Sequence, residues 1–120
     1  MDMDVKPVHW IGAAYRDLKA MPGPIQQTFG YALYLAQIGR MDRKAKPLSG
    51  FGSAGVVEVS DTDVGSTYRA IYIVRSANAV YVLHCFKKKS KAGIATPKAD
   101  MELIRARLRE AQAHARGALP

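Results

Sequence analysis

The chain has 120 residues and a formal net charge of +8, from 18 basic and 10 acidic side chains. Its 48% hydrophobic and 23% charged content is typical of a folded globular protein and excludes intrinsic disorder. This length allows one hydrophobic core, so we expect a single domain over residues 1–120. No apolar stretch approaches a membrane span and no signal peptide is visible. With one cysteine, and so no intrachain disulfide, the sequence predicts a soluble cytoplasmic protein without contact to membranes.

The positive charge is concentrated in the middle of the chain. Residues 40–91 carry ten basic and four acidic groups, a net of +6, whereas residues 1–39 are neutral and residues 92–120 carry +2. A lysine tract, defined here as Lys87, Lys88, Lys89 and Lys91, directly follows an apolar run that predicts a buried strand. Because the strand would fix these charges in space, the tract suits a polyanion such as RNA.

The first third of the chain predicts one strand and two helices. Residues 5–10 are plausible as a strand, and residues 13–20 have a weak helical pattern that residues 21–24 interrupt. Pro24 can begin the second helix and Gly39 can end it, with apolar residues at helical spacing between them.

The remainder of the chain predicts an antiparallel meander and a last helix. A basic connector over residues 40–47 precedes this meander. We expect the order β-α-α-β-β-β-α, a small α+β fold. In sequence, the predicted parts are a strand at 56–59, a hairpin turn at 61–65, a strand at 67–74, a turn at 76–78, a strand that ends at 86 and a helix from 97.

Arg69 is a charged residue inside an otherwise apolar strand. A guanidinium at such a position must face solvent, pair with an acid or line a binding surface. One interpretation is a salt bridge across the sheet to Glu58 in the preceding strand. The other is an anion clamp, because the planar guanidinium fork matches phosphate. The sequence leaves both open.

The lysine tract and His84 also allow two interpretations each. Side-chain alternation along a strand end puts Lys87 and Lys89 on one side and Lys88 on the other. A lysine with an ordinary pKa of about 10.4 is a poor general base near neutral pH. Phosphate binding is therefore a better assignment for the lysine tract than catalysis. The tract can equally be a solvated loop. His84, flanked by Leu83 and Cys85, is more typical of a hydrogen-bonded core histidine than of a catalytic one.

Other sources of chemistry are weaker. Tyr68 and Tyr72 share a face of their strand and could stack on bases, although tyrosines in strands usually pack in the core. The sequence has no metal-ligand spacing, no glycine-rich phosphate loop and no nucleophilic triad pattern, so we expect no metal and no cofactor.

Five ordered blocks of the sequence together resemble the phage-derived branch of the RelE/HigB-type toxins, within the RelE/ParE superfamily. The resemblance covers roughly residues 5–112. The blocks are Lys46–Gly52, Val57–Val59, Thr67–Ala70, Val80–Ser90 and Thr96–Pro97.

The resemblance implies a small twisted antiparallel sheet with two N-terminal helices on one side and a C-terminal helix at its edge. It also implies the toxin half of a type II toxin–antitoxin system, neutralised by a helix-turn-helix antitoxin. The expected activity is that of an mRNA interferase, an endoribonuclease that acts at the ribosome through attack of the ribose 2′-OH on the adjacent phosphate.

The resemblance assigns roles to individual residues. Arg69 matches the arginine beside the scissile phosphate, and Lys87 and Lys88 match the basic segment at the catalytic site. The RNA-binding residues that it implies are Lys46, Tyr68, Lys89 and Lys91.

The chain departs from the family pattern near its C-terminus. Many active members carry a tyrosine or histidine there, whereas this chain offers only His114 close to its end. The general base is therefore unassigned from sequence. Two alternatives stay open: a non-catalytic gyrase-targeting toxin of the ParE type, and a degenerate toxin that retains only antitoxin binding.

Overall fold

The computed structural model describes residues 5–75, 79–88 and 96–117. It confirms a small α+β fold built on one five-stranded sheet in the order β1-β5-β4-β3-β2. The elements are β1 (Val8–Trp10), α1 (Ala14–Lys19), α2 (Gly23–Gln37), β2 (Ala45–Pro47), β3 (Val57–Asp63), β4 (Ser66–Arg75), β5 (Ala79–Lys87) and α3 (Lys98–Ala115).

Two details of the sheet differ from the prediction. The segment predicted as a basic connector contains the short edge strand β2, antiparallel to β3. Three residues that include a lysine and a proline show no alternation of apolar residues, so no local pattern indicates this strand. In addition, β1 runs parallel to β5, which makes the expected antiparallel sheet a mixed one.

The helices cover both faces of the sheet. Side chains that alternate along β4 divide between two cores: Ala70 and Tyr72 pack with α1 and α2, whereas Ile71 and Ile73 pack with α3. The helix α3 therefore covers the second face of the sheet instead of lying at its edge as predicted. Its apolar stripe of Ile104, Leu108 and Ala111 is fully or almost fully buried there.

The hairpin between β3 and β4 is tighter than predicted, because β3 continues to Asp63 and leaves Val64 and Gly65 as the turn. Both turn residues have positive φ, 48° and 78° respectively. This is the backbone geometry whose twist matches that of the flanking strands. The turn predicted at residues 76–78 lies outside the described residues.

An irregularity in β5 changes the direction of one side chain. Ile71 pairs with His84 but Tyr72 pairs with Val82, so Leu83 is an extra residue, a β-bulge. Leu83 packs in the second core and His84 contacts α3, which means that two consecutive side chains face the same helix. The bulge thus places His84 on the face that also carries Arg69.

Candidate active site

Arg69 lies on the α3 face of β4, with 6% of its surface exposed. Its Nη1 atom is 2.6 Å from Oε2 of Glu58, so the salt bridge considered from sequence is present. Nη1 also donates a hydrogen bond of 3.1 Å to the hydroxyl of Thr96, just before α3. Because β3 and the start of α3 hold the guanidinium from two directions, its position is fixed before any ligand binds.

Lys88 is the second cation on this face. Its backbone N–H donates to the carbonyl of Thr67, which extends the β4–β5 ladder by one residue. The side chain is 6% exposed, and its Nζ has no hydrogen-bond partner within the described residues. Its pKa is lowered, first by burial of the ammonium and then by the positive charge of Arg69, while Glu58 opposes the shift. The sequence-based expectation of an ordinary lysine pKa is wrong here, because it could not include burial.

Lys46 completes the cluster from the sheet edge. It pairs with Glu58 across β2 and β3, and its exposed side chain lines a groove of about 320 Å³ that also includes Arg69 and Thr96. This cluster contains three cations and one carboxylate, so its formal charge is +2; its members are Lys46, Arg69, Lys88 and Glu58. We call these four residues and Thr96 the cationic groove. Lys88 does not line the 320 Å³ groove itself, but it lies close enough to Arg69, Glu58 and Lys46 for their charges to interact. Such a concentration of fixed positive charge attracts anions.

The other predicted site residues do not join the cationic groove. Lys87 is exposed and pairs with Tyr68, which packs against the α1–α2 core, so both belong to the opposite face. They line a second, larger groove of about 680 Å³ at the part of β5 that β1 does not cover. Lys89 and Lys91 lie outside the described residues.

His84 is buried and hydrogen-bonded, as its flanking residues predicted. Its Nε2 lies 2.7 Å from Oδ1 of Asp100 in the first turn of α3, and its ring stacks on Phe86 with centroids 4.6 Å apart. Burial lowers the pKa of His84, and Asp100 opposes that shift. The imidazole is therefore held more firmly in its neutral form than a free histidine.

His114 does not reach the cationic groove. Its Nδ1 lies 2.8 Å from the hydroxyl of Tyr81, and its ring also contacts the ring of His9. Tyr81 is near the start of β5, whereas Lys88 follows the end of that strand. The one histidine that sequence offered near the C-terminus is thus at the other end of the sheet.

Sequence reasoning missed two residues of this region, Thr96 and Asp100. Thr96 was noted only as part of a Thr-Pro block, a common start of a helix. Its contact with Arg69 spans 27 positions of sequence and depends on α3 packing over β4. No local pattern carries that information.

Within residues 5–75, 79–88 and 96–117, no cluster of His, Cys, Asp and Glu has the arrangement of a metal site. None of the helices in that part of the chain is long and apolar enough to cross a membrane.

Comparisons with known proteins agree with this fold. Residues 16–109 match the family described as phage-derived protein Gp49-like, and the chain therefore belongs to that family. The predicted resemblance to a phage-derived branch is confirmed at this level. Among proteins with curated descriptions, none matches the chain significantly.

Among solved structures, the chain is similar to a mutant of the E. coli toxin RelE in the free state. The identity is 12%, the alignment covers 89% of this chain and 97% of RelE, and the TM-score is 0.55. The chain has the RelE fold. It is also similar to a chain of the RelBE2 toxin–antitoxin complex from Mycobacterium tuberculosis, with 22% identity, coverage of 71% and 93%, and a TM-score of 0.47.

Proposed function

We propose that the protein is the toxin of a type II toxin–antitoxin pair and that it cleaves mRNA on the ribosome. The observation that carries this proposal is the cationic groove, in which a buried guanidinium stands beside a buried ammonium with a lowered pKa. The RelE fold and the phage-derived family support the same class of protein. The expected partners are a helix-turn-helix antitoxin, the ribosome and mRNA.

In the proposed reaction, the ribose 2′-oxygen attacks the adjacent phosphorus while the bond from phosphorus to the 5′-oxygen breaks. The products are a 2′,3′-cyclic phosphate and a free 5′-OH. Arg69 stabilises the charge that develops on the phosphoryl oxygens, a role that a fixed guanidinium fills without proton transfer. Its ion pair with Glu58 keeps the fork in place before RNA binds.

Lys88 is the proposed proton donor to the leaving 5′-oxygen. A lowered pKa makes its ammonium a stronger acid than an exposed lysine, and the ammonium stands close enough to Arg69 for the two charges to interact. The 2′-hydroxyl proton passes to solvent, to which the groove is open. Lys46, exposed at the rim, binds the RNA backbone as a point charge.

Lys87 takes no part in this reaction, because it faces the opposite side of the sheet from the cationic groove. We retain it, with Tyr68, as a contact to the wider RNA or ribosomal surface. This division separates two neighbouring lysines that the sequence assigned to one catalytic segment.

The two lysines provide a matched pair of variants, Lys88→Met and Lys87→Met, for primer extension on a reporter mRNA after brief induction. The wild type and the Lys87 variant should produce new 5′ ends inside codons. The Lys88 variant should produce at least about 100-fold fewer, the usual loss for a removed proton donor. Arg69→Ala should abolish cleavage and growth arrest.

Two results would overturn the proposal. Undiminished cleavage by the Lys88 variant would remove its assigned role. Growth arrest by the wild type without any new 5′ ends would favour a non-catalytic toxin on the same fold. A message with 2′-deoxyribose at the cleaved position tests the chemistry directly, since it lacks the attacking hydroxyl and should remain intact.

A further inference from the structure

The start of α3 is attached to the sheet at two adjacent points. Thr96 accepts a hydrogen bond from Arg69 on β4, and Asp100 pairs with His84 on β5. Arg69 is opposite Phe86 in the sheet, two positions along β5 from His84, so the two attachments lie side by side. Thr96 and Asp100 are four positions apart in the sequence.

We propose that His84 and Asp100 are positioning residues for Arg69. Their hydrogen bond holds the first turn of α3 on the sheet, and this turn keeps the Thr96 hydroxyl against Nη1 of the guanidinium. The inference rests on the proposed function insofar as Arg69 acts on a phosphate.

The burial of His84 and Asp100 supports a role in positioning Arg69 rather than direct contact with the RNA. The His84 side chain is 7% exposed and that of Asp100 is 26% exposed. Both line the larger groove at the uncovered part of β5, whereas Arg69 and Thr96 line the cationic groove. The first turn of α3 lies between the two grooves, which lets the pair act on the guanidinium without touching the RNA.

The β-bulge gives this arrangement a structural cause. The extra residue Leu83 changes the register of β5 so that His84 faces α3. Farther along the helix, the guanidinium of Arg107 donates to the carbonyl of Leu83, so the bulge is tied to α3 at two levels. The bulge therefore determines where α3 begins over the sheet, and so where the Thr96 hydroxyl lies relative to the Arg69 guanidinium.

The test is a comparison of Asp100→Ala, Asp100→Asn and Thr96→Val in single-turnover cleavage, with binding measured separately on an uncleavable 2′-deoxy message. Asp100→Ala and Thr96→Val should each lower the cleavage rate by about 100-fold, the cost of misplacing a catalytic group by about 1 Å, and leave binding within about 2-fold. Asp100→Asn should retain most of the rate, because its amide oxygen still accepts a hydrogen bond from Nε2 of His84.

The double variant Thr96→Val with Asp100→Ala should be no slower than either single variant, since both act through the same contact. Glu102→Ala is the matched control. It removes an exposed carboxylate from the same helix end without breaking a described contact to the sheet, and should cleave at the wild-type rate.

A different readout keeps this inference separate from the nuclease assignment. The guanidinium ¹H–¹⁵N signal of Arg69, identified by its loss in Arg69→Lys, should show restricted rotation in the wild type and in Asp100→Asn. In Asp100→Ala and Thr96→Val the rotation should be faster than in the wild type, because one described contact to Nη1 is then lost while the ion pair with Glu58 stays. The same rotation rate in all variants, or an Asp100→Asn protein as slow in cleavage as Asp100→Ala, would overturn the positioning role. Failure of the wild type to cleave RNA would overturn only the proposed function.

Discussion

The ion pair between Glu58 and Arg69 is the first place to test the energetics of the site. Their side chains are 3% and 7% exposed, and Oε2 and Nη1 are 2.6 Å apart. At this burial, water does little to screen a charge that has lost its partner. Removing one member of such a pair typically costs about 3–5 kcal/mol. We expect Glu58→Ala to cost about 3 kcal/mol, because Thr96 still accepts a hydrogen bond from the guanidinium.

That cost is large against the total stability of a small domain, about 5–15 kcal/mol. For a chain of this size it corresponds to a fall in Tm of roughly 10 °C. Arg69→Ala should cost at least as much, since it also removes the packed aliphatic stem of the side chain. The double variant leaves neither member of this pair without its partner and should cost less than the two single costs combined, by about 2–3 kcal/mol.

These variants and the wild type form a double-mutant cycle. Urea unfolding, followed by the fluorescence of Trp10, the single tryptophan, measures the stability of all four proteins. Glu58→Gln, which keeps the size of the side chain and removes its charge, provides a milder variant if Glu58→Ala does not fold. Arg16 is a matched control, because its side chain is 80% exposed and its ion pair with Asp17 should contribute no more than about 1 kcal/mol. A cost below about 1 kcal/mol for Glu58→Ala, or strict additivity in the cycle, would refute the assignment of a desolvated pair.

Three further predictions follow from described residues. The pKa of His84 is lower in the folded state, so the unfolded chain binds a proton at His84 more readily and stability should fall as the pH drops below about 6.5. The difference in urea midpoint between wild type and His84→Gln should therefore shrink from pH 7.5 to pH 5.5, and a constant difference would contradict this. Burial raises the pKa of the Cys85 thiol to about 12, so the native protein should resist alkylation by iodoacetamide at pH 8 while the urea-unfolded chain reacts. Mass spectrometry measures the labelling, and equal labelling rates of the two forms would contradict this prediction. Val64 is 95% exposed and has a φ of 48°, a backbone conformation that β-branched residues rarely adopt and asparagine tolerates. Val64→Asn should therefore raise the free energy of unfolding by about 0.5–1 kcal/mol. A loss of stability would show that the turn is not strained.

Much of the architecture was accessible from local patterns. The helical spacing of apolar residues predicted α2 and α3, and each helix end that was predicted lies within two residues of the observed end. The strand around Arg69 was predicted nearly in full. The salt bridge from Arg69 to Glu58 was one of the two interpretations that the sequence left open, and the structure shows that it forms. A charge in a buried strand requires a partner, and the adjacent strand offered a single acid that a hairpin would bring near it.

The features that failed were those without local repetition. The edge strand β2 has too few residues to show alternation. The parallel pairing of β1 with β5 joins segments about 70 positions apart, and the face that α3 covers depends on packing across the whole sheet. None of these is encoded in a window of neighbouring residues.

The lysine tract shows the same division. Local patterns were enough to predict that a cluster of positive charge follows a buried strand, and that Lys87 and Lys88 point to opposite sides, because side chains alternate along any strand. The burial of Lys88 beside Arg69, with Lys87 exposed on the other face, depends instead on tertiary packing. Burial and a neighbouring cation lower the pKa of Lys88, and both depend on which elements pack over the end of β5 rather than on the residue itself.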